Sequence, residues 1–105
     1  MDPSSTTRLN SFARYPSLQD RAVLITGGAT GIGMTLVEEF VAQDARVGFI
    51  DIDVASGEAL ATRLKGARFE PCFVAADLTD IGALDAAIDA IRARIGPIAV
   101  LLNNA

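Results

Sequence analysis

Several residue types that carry chemistry in other proteins are scarce in this chain. Its 105 residues include no histidine and a single cysteine, Cys72. Without imidazoles and with one thiol, the usual ligands of zinc and other transition metals are missing, so we expect no metal site. A single cysteine also excludes a disulfide within the chain, which fits the reducing environment of the cytoplasm.

Long hydrophobic runs and an excess of basic charge are missing as well. No apolar stretch approaches the ~20 residues that a membrane-spanning helix requires, and the first ten residues, MDPSSTTRLN, lack the basic and apolar regions of a secretory signal. Nine lysines and arginines stand against 13 acids, which gives a net charge of −4. We therefore expect neither a membrane nor a nucleic acid as partner, because nucleic-acid surfaces need clustered positive charge.

The residues that are present have the composition of one small globular domain. Half of them are hydrophobic and 21% are charged. Residues 1–17 are polar and irregular and are interpreted as an N-terminal extension, whereas residues 18–105 form the folded portion. Apolar runs alternate there with segments of helical periodicity, in the order β-α-β-α-β-α-β. This alternation predicts an α/β fold in which parallel strands carry helices on both faces of the sheet.

The predicted elements can be placed along the folded portion. Strands are predicted at residues 22–26, 45–53, 68–78 and 98–105. Pro71 lies within the third strand and favours an edge position, because proline cannot donate to a sheet hydrogen bond. Thr79 and Asp80 are alternative caps of the third helix. Three helices are too few to cover four strands on both faces, so the fourth strand is expected to be poorly covered.

A glycine-rich turn, TGGATGIG at residues 26–33, follows the first strand. Its spacing is T-G-x-x-x-G-x-G. Gly27 permits a sharp turn out of the strand, Gly31 lets a pyrophosphate approach the backbone, and Gly33 lets the next helix pack closely on the sheet. The N–H groups and the dipole at the start of that helix favour phosphate. A tight turn without a ligand is the alternative that this pattern alone leaves open.

An acid follows the second strand where the ribose of a nucleotide would lie. Asp51 comes directly after the apolar run VGFI. A carboxylate about 20 residues beyond such a glycine turn can accept hydrogen bonds from both ribose hydroxyls of an adenosine. The same charge repels a 2′-phosphate, so the sequence favours NAD over NADP. Capping the next helix is the alternative role, for which Asp53 competes.

Polar residues also end the third and fourth strands. After the third strand, Asp77 can accept from an adenine amino group and the Leu78 backbone can pair with a ring nitrogen, although Asp77 could instead cap a helix. After the fourth, Asn103 and Asn104 are amides that require partners if buried. Because the carboxyl ends of parallel strands share one edge, we expect all four strand ends to line a single ligand site.

These strand ends resemble the classical short-chain dehydrogenase/reductase family, which carries T-G-x-x-x-G-x-G, an acid after strand two, D-L after strand three and N-N-A after strand four. The resemblance runs from about Leu18 to Ala105. It implies a Rossmann-type doubly wound parallel sheet with strand order 3-2-1-4, and hydride transfer between NAD and an alcohol or carbonyl substrate. The residues that it implies for NAD binding are Gly27, Thr30, Gly31, Ile32, Gly33, Asp51, Ile52, Asp77, Leu78 and Asn103.

The family's catalytic residues have no counterpart in these 105 residues. Catalysis in the family uses a serine, and a tyrosine four residues before a lysine, all beyond N-N-A. The only tyrosine here is Tyr15, which Gln19 follows four residues later, and the only lysine is Lys65. We therefore interpret the chain as the cofactor-binding part of a longer enzyme, inactive by itself and homo-oligomeric when complete.

Short motifs of the sequence indicate a substrate class, and two other functions are compatible with parts of the pattern. YPSL before the first strand and DID after the second are similar to family members that oxidise aldose sugars at the anomeric carbon. A non-catalytic nucleotide-binding or scaffold protein with a Rossmann fold remains an alternative. A methyltransferase also uses a glycine loop and a strand-two acid, but the T-G-x-x-x-G-x-G spacing and N-N-A argue against it.

Overall fold

The computed structural model describes residues 16–104, so all but the last two residues of the predicted extension lie outside the described part. Strands and helices alternate there in the predicted order. The strands are β1 (Ala22–Thr26), β2 (Arg46–Asp51), β3 (Cys72–Ala75) and β4 (Val100–Asn103). The helices are α1 (Gly31–Ala42), α2 (Val54–Arg63) and α3 (Ile81–Ile95), and a short 3₁₀ helix, Pro16–Leu18, precedes β1.

The strands form one parallel sheet in the order β3-β2-β1-β4, which confirms the predicted Rossmann-type order. In the middle of the sheet, Val23 of β1 lies opposite Val47 of β2 on one side and Val100 of β4 on the other. β3 lies at one edge, with Pro71 directly before its first residue, as the proline predicted.

The third strand is shorter than the predicted range, 68–78. Its first part is a turn in which the Gly66 N–H donates to the carboxylate of Glu70. Its last part leaves the sheet after Ala75, and the Asp80 N–H then donates to the carbonyl of Asp77 in a tight turn. Local hydrogen bonds of this kind compete with strand pairing and end the ladder on both sides.

The side chains of the sheet form two cores, one on each face, because successive strand residues point to opposite sides. The first core lies under α1 and α2, and its buried members are Val23, Ile25, Val37, Val41, Ala45, Val47, Phe49 and Leu60. The second lies under α3, and its buried members are Ala22, Leu24, Ile50, Cys72, Ala87, Ile91 and Ile95. β4 is covered less well than β1 and β2, as expected, and Leu101 is 60% exposed.

The three helices begin in different ways. α2 is capped by the side chain of Asp53, which accepts from the Ser56 N–H, and α3 by that of Asp80, which accepts from the Ala83 N–H. Asp80, not Thr79, is therefore the cap of α3. At the start of α1, Thr30 occupies the cap position in an extended conformation but makes no side-chain cap hydrogen bond. None of the helices within residues 16–104 combines the length and the apolar character that crossing a membrane requires.

Candidate functional site

A cleft of about 360 Å³ opens at the carboxyl edge of the sheet, beside the ends of β1, β2 and β3. The residues that line it are Gly27, Thr30, Asp51, Ile52, Asp77, Leu78 and Asn104. All except Asn104 belong to the set predicted from the sequence. The fold thus brings together side chains and backbone from segments that are far apart in the chain, because parallel strands end at the same edge.

The glycine turn that forms one wall of the cleft depends on backbone conformations that favour glycine. Gly27 and Gly31 have φ angles of 70° and 59°, in the left-handed region. A Cβ atom on Gly31 would meet open space, so the backbone there is accessible from outside. At Gly33 a Cβ would overlap the carbonyl oxygen of Gly27, which shows how closely the start of α1 packs against the turn. Ile32, in contrast, is exposed on the first turn of α1.

Backbone N–H donors at the start of α1 follow the glycine turn directly. The Met34 N–H donates to the carbonyl of Thr30 at 3.2 Å. The N–H groups of Gly31, Ile32 and Gly33 come before this bond, and the first N–H groups of a helix have no intrahelical acceptor. Since Thr30 does not cap them, this end of α1 offers donors and a positive dipole end to an anion.

Asp51 lines the cleft next to the glycine turn. One carboxylate oxygen, Oδ2, accepts from the Ala29 N–H at 3.1 Å, and the other, Oδ1, accepts from the Asp53 N–H at 2.9 Å. The cap of α2 is provided by Asp53 instead, so the alternative role considered for Asp51 is filled by its neighbour. Asp51 is half-buried and faces the cleft together with Ile52, whose side chain is exposed.

Asp77 and Leu78 form the third side of the cleft, after β3. The Oδ1 atom of Asp77 accepts from the hydroxyl of Thr79 at 2.7 Å and from its N–H at 2.9 Å. These two bonds stabilise the charged carboxylate and lower the pKa of Asp77 below its usual value. Asp77 therefore presents a fixed, ionised acceptor at neutral pH.

Replacing Thr79 with valine is expected to raise the pKa of Asp77 toward its usual value, because the hydroxyl bond is the largest cause of the lowered pKa. By linkage, this bond stabilises the fold at neutral pH, and that contribution is lost as the pH falls through the lowered pKa. A carboxyl-carbon NMR titration of both proteins measures the change. Asp53, whose pKa Ser56 lowers by the same kind of bonds, is the internal control and should not change. If the pKa of Asp77 were equal in both proteins, the hydrogen bond from the Thr79 hydroxyl would not be the cause of the lowered pKa.

The two asparagines at the end of β4, Asn103 in the strand and Asn104 after it, line different clefts of the sheet edge. Asn103 accepts at Oδ1 from the Thr26 hydroxyl at 2.9 Å and lines a separate, more apolar cleft next to α3. Asn104 instead donates from Nδ2 to the carbonyl of Gly27 at 3.2 Å and lines the cleft with Asp51. The sequence placed both asparagines at the edge where a cofactor would bind, and the family resemblance implied cofactor contact for Asn103 alone. The pairing of Thr26 with Asn103 places the next residue beside Gly27, and this register is the signal that points to Asn104.

Comparisons with known proteins agree on one family. Residues 21–105 match the sequence model of a family described as short chain dehydrogenase. Over 94 residues the chain is 45% identical to a probable galactose dehydrogenase of Rhizobium meliloti, an alignment that covers 89% of this chain and 37% of that protein. It is 42% identical over 95 residues to D-xylose 1-dehydrogenase of Caulobacter vibrioides, covering 90% and 37%. The chain thus spans somewhat more than a third of the length of these curated relatives.

A solved structure gives the same result for the fold. The 3-ketoacyl-(acyl-carrier-protein) reductase from Brucella melitensis, crystallised in complex with NADH, superposes with a TM-score of 0.74 at 30% sequence identity. The superposition covers 80% of this chain and 33% of the reductase chain. The match supports the doubly wound fold described above.

Proposed function

Because the chain belongs to the short-chain dehydrogenase family, we propose that residues 18–105 are the NAD-binding portion of a dehydrogenase that acts on an alcohol or carbonyl group. The observation that carries the proposal is the cleft itself: the glycine turn, Asp51 and Asp77 line one space at the carboxyl edge of the sheet. A turn that served only to connect β1 to α1 would not need acids from two other strands beside it.

The residues of the cleft fit the parts of NAD in order. The first N–H groups of α1 would hold the pyrophosphate next to Gly31, where the backbone is open. Asp51 would accept from the ribose hydroxyls, and Asp77 with the Leu78 backbone would bind the adenine. NAD supplies the hydride acceptor, whereas this portion of the protein binds and orients it.

The choice of NAD over NADP depends on charge. A 2′-phosphate on the ribose would be placed against the Asp51 carboxylate, at a cost in free energy that the residues of the glycine turn do not offset. Residues 26–33 contain no lysine or arginine that could pair with that phosphate. We therefore assign NAD as the preferred cofactor.

Replacing Asp51 with asparagine is expected to raise the dissociation constant for NAD by about 10- to 100-fold, which corresponds to the ~1.5–3 kcal/mol of a charge-assisted hydrogen bond. The loss for NADP should be smaller, because the variant also removes repulsion. Calorimetric titration of the full-length parent and variant proteins with NAD and with NADP measures the difference. Asp53→Asn is the matched control, since that side chain caps α2 and does not line the cleft. Equal losses for the two cofactors would contradict the role given to Asp51.

The catalytic residues are proposed to follow residue 105. The sequence contains no Tyr-x-x-x-Lys, because Gln19 stands four residues after the only tyrosine, Tyr15, and the only lysine is Lys65. The relatives reported above are described as a probable galactose dehydrogenase and a D-xylose 1-dehydrogenase, which supports an aldose sugar as the substrate. An assay of the full-length protein with NAD and aldose sugars, in which the formation of NADH is followed, tests the proposal. A gene that lacks a serine and Tyr-x-x-x-Lys after N-N-A would favour the non-catalytic nucleotide-binding protein instead.

A cytoplasmic homo-oligomer is the setting that we propose for the complete enzyme. Cys72 is buried in the second core, and its burial raises the pKa of the thiol, so this cysteine acts as a core residue. A chain with one buried thiol does not depend on an oxidising compartment.

A further inference from the structure

The turn between β1 and α1 is tied to the end of β2 through three successive backbone N–H groups. Gly27 and Gly28 donate to the carbonyl of Ile50, at 2.8 Å and 3.4 Å. The next N–H, that of Ala29, donates to a side chain instead, the Oδ2 atom of Asp51, at 3.1 Å. Ala29 is only 2% exposed. Without this carboxylate its N–H would be buried without a hydrogen-bond acceptor, which costs free energy of folding.

The Asp51 carboxylate is itself held on both sides. The Asp53 N–H donates to Oδ1 while the Ala29 N–H donates to Oδ2. Each carboxylate oxygen can accept more than one hydrogen bond. The two backbone bonds therefore fix the plane of the carboxylate and still leave each oxygen able to accept a hydroxyl from the cleft.

We propose that Asp51 is a clasp: its bond to the Ala29 N–H sets the conformation of the glycine turn before a nucleotide arrives. Asp51 then positions the glycine turn through the Ala29 N–H. The carboxylate proposed to bind the ribose therefore also orients the start of α1, which is proposed to bind the phosphates. The inference rests on the proposed NAD site for its functional meaning, but the clasp itself exists in the protein without ligand.

The clasp and simple charge repulsion predict opposite effects of neutralising Asp51 on the binding of an anion at the start of α1. Asp51 is an anion next to the site proposed for the pyrophosphate, so by Coulomb's law its neutralisation should strengthen the binding of an anion there. If the carboxylate holds the turn in shape, the same neutralisation should weaken that binding, because the donors of α1 lose their fixed position. The sign of the change distinguishes the two accounts.

The first measurement is hydrogen–deuterium exchange over residues 27–30 without ligand, resolved to single residues, in the protein as its gene encodes it. In the parent protein the Ala29 N–H should be protected. In Asp51→Ala, which leaves the Ala29 N–H no side-chain acceptor, its exchange should be about 10- to 100-fold faster, as expected for a lost charge-assisted bond. Asp53→Asn should leave it unchanged. An unprotected Ala29 N–H in the parent, or equal exchange in parent and Asp51→Ala, would overturn the clasp; the parent measurement decides even if the variant does not fold.

The second measurement is calorimetric titration with inorganic pyrophosphate, which carries no ribose. Weaker binding to Asp51→Ala than to the parent supports the clasp, and stronger binding overturns its effect on the phosphate site. If neither pyrophosphate nor NAD binds the parent, the proposed function fails, whereas the exchange of the Ala29 N–H still decides whether the clasp exists.

Discussion

Phe49→Ala is expected to lower the free energy of unfolding by about 3–5 kcal/mol, the usual cost of removing a fully buried aromatic ring. Phe49 has no exposed surface and lies at the centre of the first core, where its ring centroid is 5.1 Å from that of Phe73. Domains are stable by only about 5–15 kcal/mol in total. The variant should therefore be partly unfolded at temperatures where the parent is fully folded.

Urea unfolding followed by circular dichroism measures this loss. Phe69→Ala is the matched control: the same ring is removed, but Phe69 is half-buried outside both cores and lies next to the guanidinium of Arg68. We expect the control to cost much less. If the two variants lost equal stability, the central place of Phe49 in the core would be wrong.

The same substitution should also affect the glycine turn. A Cβ atom on Gly28 would lie 2.7 Å from the Cβ of Phe49, so the turn rests directly on this residue. Removing the ring leaves a cavity below the turn, toward which the surrounding residues relax. Core and site are thus not independent here, because the turn that would hold the pyrophosphate uses the first core as its support.

The fold and much of the site could be predicted because both follow from local patterns. Alternating apolar and helical segments predict a parallel sheet with helices on both faces, whereas the strand order was implied by the resemblance to the short-chain dehydrogenase family. The end of each strand indicates which side chains share an edge. Asp51 and Asp77 both line the cleft, and each directly follows an apolar run of the sequence.

What the sequence could not supply depends on three-dimensional register and on competing local bonds. The orientation of Asn103 and Asn104 depends on which residue of β4 pairs with Thr26, and the apolar run IAVLL does not fix that pairing. The bond between Asp51 and Ala29 joins segments that pack together only after the sheet forms. The short length of β3 results from a turn bond at Glu70 before the strand and another at Asp77 after it, which compete with an otherwise suitable strand sequence.

Gly33→Ala is expected to destabilise the protein by about 1–3 kcal/mol, a typical cost of overpacking. Alanine is normally favoured over glycine inside a helix by about 1 kcal/mol. The expected change in the free energy of unfolding for Gly33→Ala therefore has the opposite sign to the usual one. The added Cβ would overlap the Gly27 carbonyl oxygen and would lie 2.9 Å from Nδ2 of Asn104. Either α1 or the turn must move, and both carry groups proposed to bind NAD. We therefore also expect the affinity for NAD to fall by about tenfold, or ~1.4 kcal/mol.

Gly82→Ala is the matched control for this prediction, since Gly82 also lies in the first turn of a helix, α3. A Cβ there would meet only Oδ1 of Asp80, at an ordinary contact distance of 3.6 Å. The control should be as stable as the parent or more stable, by up to about 1 kcal/mol, with unchanged affinity for NAD. Urea unfolding and calorimetric titration of both variants give the comparison. If Gly33→Ala were stabilised as much as Gly82→Ala, the close packing of α1 on the turn would be refuted. If it were destabilised but bound NAD like the parent, the packing would stand and the NAD site would have to lie elsewhere.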